Sequence, residues 1–192
     1  MTLHPVLIQA SRLLLMILAT GVAGAATAPR HPSGVHLPGV ARLTIAAAGS
    51  GVVVELTGPA VTLIGFEHAP VTADERATLR LAKENLKTGD AMIRFNTNAG
   101  CRLIAARVDA HLTDNRHGNS RSHGDGGQSD MTASYRFNCD QPERLDSAAL
   151  GLFSGFPALQ RVLVQYVTAD GQGEAELTPT HPLVTFVPLG FR

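Results

Sequence analysis

Cys101-Arg102-Leu103-Ile104-Ala105-Ala106-Arg107-Val108 and Thr132-Ala133-Ser134-Tyr135-Arg136-Phe137-Asn138-Cys139 are two strand-like runs, each with a cysteine at its outer end. Both are built from residue types that suit a pleated surface. Between them lies a stretch from Asp109 to Met131, dominated by Asp, Gly, Asn, Ser, Arg and His and almost free of apolar side chains. It cannot bury enough surface to fold by itself. The reading is a long mobile loop at about 109–131, an excursion between two neighbouring antiparallel strands.

Upstream, Val40–Ile45 alternates loosely and Val52–Leu56 follows after Gly49-Ser50-Gly51. Two β-branched runs separated by a short glycine turn signal a hairpin. A further apolar stretch, Val61–Ile64, leads into Gly65-Phe66-Glu67-His68-Ala69-Pro70. A helix is expected at about 73–87. Thr72 is a natural N-cap and Glu75 stands three residues later, the spacing of a capping box. Leu79, Ala82 and Leu86 share one face, and Gly89 supplies a C-terminal stop. Strand-like runs recur at Ala91–Asn96, in Leu145–Phe156 with a short helical turn near Leu152, at Arg161–Val167, at Glu174–Thr178 after a Gly171-Gln172-Gly173 turn, and at Pro182–Val187. Many short strands with one clear helix predict an α+β fold with mainly antiparallel sheets.

The first residues read as an address. Arg12 precedes the apolar run Leu13–Ala19, and Ala23-Gly24-Ala25 has the Ala-x-Ala form of a cleavage site. The expectation is a signal peptide over 1–25 and a single domain over 26–192, located in the periplasm. The apolar run is short of the roughly 20 residues that span a bilayer, so no membrane span is expected after cleavage. Without Arg12 the chain carries 15 basic and 16 acidic side chains. That balance gives no electrostatic footprint for nucleic acid. In an oxidising compartment two cysteines form a disulfide, and with only Cys101 and Cys139 the pairing is forced. The closed loop constrains the unfolded chain by about 4 kcal/mol on the chain-entropy model. Free thiols acting as ligands are the alternative, and no Cys-x-x-Cys spacing supports it.

Chemistry concentrates in the insertion. His111, His117 and His123 are spaced six apart, and Asp125 stands beside the last of them. Imidazole and carboxylate donors suit Zn²⁺, and other divalent transition metals accept the same set. Six-residue spacing does not align on a helix face, so a site must form by wrapping backbone around the ion. Arg116 and Arg121 oppose it, and a passive hydrophilic loop is the competing reading. Outside the insertion, His36 precedes the first strand, while Glu67 and His68 pair a carboxylate with an imidazole before a proline turn. His181, before Pro182, reads as a turn residue. No nucleophile elbow, His-Glu-x-x-His or phosphate-binding glycine loop is present, and no enzymatic activity is expected.

Several segments occur together in one order: Gly65-Phe66-Glu67-His68-Ala69-Pro70, Ala99-Gly100-Cys101, Ala133–Cys139, Phe153-Ser154-Gly155-Phe156-Pro157, and Gly171-Gln172-Gly173 with Leu177-Thr178-Pro179. That order, from about Val35 to Phe186, resembles the ZrgA-type periplasmic accessories to zinc uptake. The resemblance implies a non-catalytic protein that buffers or delivers Zn²⁺ to an ABC-type zinc importer. Its expected partner is the importer's periplasmic solute-binding component. It also implies that the metal-collecting insertion lies between the two cysteines, where His111, His117 and His123 fall. The family pattern carries a His-x-His-Gly element before the first strand. Here His36 matches its first histidine and Pro38 replaces the second, and the insertion holds three histidines where the pattern has many. Those departures leave one weaker site, or a chain that has lost much of its zinc capacity. The alternative function is a non-metal interaction module of the cell envelope.

Overall fold

The computed structural model describes residues 37–113 and 129–186. The signal segment, His36, His117, His123 and Asp125 lie outside the described residues.

The chain enters through a hairpin, β1 (Val40–Ala48) and β2 (Gly51–Pro59), with Ala48 opposite Gly51 across the predicted glycine turn. The chain then leaves the sheet through α1 (Ala60–Ile64), which ends at Gly65 with φ +86°. The apolar stretch Val61–Ile64 is therefore helical. Burial of Leu63 and Ile64 against the core outweighs the β preference of so short a run. The expected helix is α2 (Ala73–Lys87). Thr72 Oγ1 accepts from the Glu75 amide at 3.1 Å, and Glu75 Oε2 accepts from the Thr72 amide at 3.0 Å. Ala82 and Leu86 are buried beneath it.

Gly89 is not the stop. Thr88 ends α2, and Gly89 opens the short α3 (Gly89–Met92), which takes Ala91 and Met92 from the expected strand and leaves β3 as Ile93–Phe95. A β-carbon at residue 89 would lie 2.4 Å from Cδ1 of Tyr135, so this glycine permits a close approach to the sheet.

β4 (Cys101–His111) and β5 (Asp130–Cys139) are the opening pair of runs, antiparallel and in register from Cys101 opposite Cys139 to His111 opposite Asp130. Pairing thus claims Asp109–His111 and Asp130–Met131 from the expected insertion. The Cys101–Cys139 disulfide is formed. Downstream come β6 (Ser147–Leu150), α4 (Leu152–Gly155), β7 (Arg161–Thr168), β8 (Gly171–Leu177) and β9 (Leu183–Thr185).

The strands form a six-stranded sheet in the order β4-β5-β2-β1-β7-β8 and a three-stranded sheet in the order β3-β6-β9. Among the described residues all strand pairs are antiparallel except β1 with β7. The fold is α+β, as expected. One face of the large sheet supplies the core. Ala41, Leu43 and Ile45 of β1 line it with Val52, Val54 and Leu56 of β2, and Tyr135 and Phe137 of β5 continue it. Phe95 of β3 meets Phe137 edge-on, and Phe186 packs on Tyr166 of β7, so the small sheet closes this face. The opposite face, with Arg42, Thr44, Ala46, Val53, Glu55 and Arg136, is exposed.

Candidate functional site

The register of β4 with β5 slips once, between Leu103 and Ala105, leaving Ile104 as an exposed bulge. Side chains alternate with a period of two, so one extra residue inverts every position beyond it. Before the bulge Cys101 and Leu103 pack toward the core; after it Ala106, Val108 and Ala110 do so. Asp109 and His111 consequently stand on the exposed face. Without the slip, His111 would share the inward phase of Leu103. His111 lies opposite Asp130, where the two strands part.

Just beyond, the chain is clamped onto the segment that follows α1. Thr113 and His68 form a parallel bridge. The Thr113 amide donates to the Glu67 carbonyl at 3.1 Å, and the Ala69 amide donates to the Thr113 carbonyl at 2.9 Å. Thr113 Oγ1 also donates to the Glu67 carbonyl at 2.9 Å, as does the Ser129 hydroxyl. Ser129 Oγ accepts from the Thr113 amide at 3.0 Å, and its carbonyl accepts from the Ala60 amide at 2.8 Å. Thr113 and Ser129 are the last described residues on either side of 114–128. Both are held against one short segment, and the disulfide sits at the far end of the strand pair, roughly 30 Å away at about 3.3 Å per residue.

His68 is fixed by more than its backbone. Its ring stacks on Phe66 with centroids 5.4 Å apart, and Nδ1 lies 3.0 Å from the Ala69 carbonyl oxygen. A carbonyl only accepts, so Nδ1 carries a proton, and in the neutral ring the lone pair is then on Nε2. Nε2 lies 3.7 Å from Oε1 of Glu75. The other oxygen of that carboxylate accepts from the amides of Thr72 and of Val71, the latter at 2.7 Å. Those two hydrogen bonds hold the Glu75 carboxyl below the ordinary glutamate range, and His68 in its protonated form adds a smaller Coulombic effect.

Of the residues singled out from sequence, Glu67, His68 and His111 are therefore brought to the two ends of one clamp. Glu67 serves it through its backbone carbonyl, and its side chain is exposed. Among the described residues, no three His, Cys, Asp or Glu side chains stand together as a metal cluster. Sequence reasoning missed Thr113, Ser129 and the approach of Glu75 to His68. The capping box was a usable signal, since it turns the Glu75 carboxylate back toward Val71, three residues from His68. His181 occupies a turn, bridged to Thr178.

A groove of about 300 Å³ runs along α2. Arg76, Arg80, Lys83 and Lys87 line it against the single carboxylate of Glu84, a balance that repels cations. No described helix is long and apolar enough to cross a membrane.

A family model described as ZrgA family zinc uptake protein matches residues 35–186. No curated protein matches the chain.

Proposed function

The chain belongs to the ZrgA family of zinc uptake proteins, and from that premise we propose an exported, non-catalytic protein that binds Zn²⁺ and passes it to an ABC-type importer. The observation that carries this reading is the clamp. It holds Thr113 and Ser129 against Glu67–Ala69, so the segment bearing His117, His123 and Asp125 departs from and returns to the neighbourhood of His68 and His111. His117 lies four positions after Thr113, and His123 lies six positions before Ser129. At no more than about 3.5 Å per residue, both imidazoles stay tethered to that neighbourhood. Neutral imidazole and carboxylate donors suit Zn²⁺, the cargo that the family description names. The disulfide fits an oxidising periplasm. A site drawn partly from a long polar insertion favours exchangeable binding over permanent retention, as a buffer or a donor requires.

Calorimetric titration of the protein with Zn²⁺ tests the reading. The triple variant His111→Ala, His117→Ala, His123→Ala is expected to lose most of the heat. Equal binding by variant and wild type would overturn a loop site.

The exposed face of the large sheet favours a second reading, an envelope interaction module. Val53 and Val167 stand uncovered there among polar neighbours. On that reading, deleting 114–128 leaves capture of an importer component intact; on the first, it abolishes zinc transfer.

A further inference from the structure

We propose that Nε2 of His68 and Oε1 of Glu75 form a preformed two-donor site for Zn²⁺ or a similar divalent transition-metal ion. The proposal deepens the zinc-binding reading and rests on it, but it needs no residue of 114–128.

Four observations carry it. First, the bond from Nδ1 to the Ala69 carbonyl leaves Nε2 as the outward nitrogen, the one that carries the lone pair in the neutral ring. A backbone carbonyl on the second ring nitrogen is the recurrent support of metal-binding histidines, because it sets both tautomer and ring orientation. Second, the ring is immobilised by stacking on Phe66 and its backbone by the bridge to Thr113. Third, Glu75 binds the helix cap through Oε2 alone, with amides at 2.7 and 3.0 Å, which leaves Oε1 to act as a ligand without dismantling α2. Fourth, the donors stand 3.7 Å apart. Two donors about 2.0–2.1 Å from one tetrahedral ion lie about 3.3 Å from each other, so a small side-chain rotation closes the pair. The separation is too long for a hydrogen bond, so only the ion pair with a protonated ring competes with a metal ion for these two atoms.

The side chains remain 34% and 25% exposed, which leaves room for water on the other coordination positions. Arg76 donates to the Val71 carbonyl at 2.7 Å and brings positive charge nearby. Two donors beside that charge give a weak site, one that fills and empties readily.

The test uses the full chain carrying His111→Ala, His117→Ala and His123→Ala, so that loop imidazoles are absent. Zn²⁺ is titrated by calorimetry, and Co²⁺ is followed by its visible absorption. Residual binding is expected, weakened about tenfold or more by His68→Ala and likewise by Glu75→Gln. Combining the two should add little, because either alone dismantles the pair. Glutamine can keep the capping box, so Glu75→Gln retains the helix, with a thermal melt as the check. Glu84→Gln on the same helix should leave binding unchanged. If it weakens binding equally, the effect is diffuse charge and the site is overturned. If the triple variant binds nothing while wild type binds, this pair fails and the loop reading stands. If wild type binds no metal, both fail.

Discussion

A β-carbon on residue 89 would meet Cδ1 and Cε1 of Tyr135 at 2.4 and 2.8 Å, and Tyr135 is fully buried. Gly89→Ala is therefore expected to destabilise by about 1–3 kcal/mol through overpacking. Helix propensity alone would predict a gain of up to about 1 kcal/mol at this position. Urea unfolding gives the sign directly. The hydroxyl of Tyr135 has no hydrogen-bond partner among the described residues. Tyr135→Phe should consequently cost under about 0.5 kcal/mol or stabilise, since it removes a buried polar group whose burial is uncompensated. Burial also pushes the Tyr135 phenol well above the ordinary tyrosine range. Above pH of about 10 the unfolded chain releases this proton while the folded chain keeps it, so stability falls as pH rises. Unfolding midpoints between pH 8 and 11 should show that loss in wild type and a smaller one in Tyr135→Phe. At this scale the sequence was partly readable. Gly89 was recognised as special, but for a cap and not for a contact, because the contact is with a residue 46 positions away.

The helix α2 was legible whole, since its capping box and apolar face are set by residues three or four apart. Thr72→Ala should cost about 1 kcal/mol, measured by thermal or urea unfolding. Glu75 adds a pH dependence of opposite sign to that of Tyr135. Its folded carboxyl titrates below the unfolded one, so its contribution is present above pH of about 4.3 and is lost as pH falls through the folded value. Acid titration of Glu75→Gln should lack that component. The short elements were less legible. Ala91–Met92 reads as extended, yet it is a helical turn whose conformation is chosen by what it buries, and the apolar stretch Val61–Ile64 did not announce its helical turn either. The bulge at Ile104 was invisible too, because it is defined by pairing with Phe137 and Arg136 and not by composition. It decides which way His111 faces.

In the whole molecule, Cys101 and Cys139 join strands that are already in register. Replacing both by alanine should lower stability by about 4 kcal/mol on the chain-entropy model, read from denaturant midpoints. Zinc binding at folded concentrations should persist, because the bond lies at the end of the strand pair opposite His111. The capping box, the glycine-turn hairpin and the forced cysteine pairing were all determined by sequence alone. Each depends on near neighbours or on there being only two cysteines to pair. Tertiary structure alone decided the parallel pairing of β1 with β7, the separation of β3, β6 and β9 into a second sheet, and the clamp of Thr113 and Ser129 on Glu67–Ala69. It also placed Glu75 within 3.7 Å of His68. These are contacts between segments far apart in the chain. They form because the apolar faces of two sheets and a helix must share one core, and no local pattern encodes which partners that packing brings together.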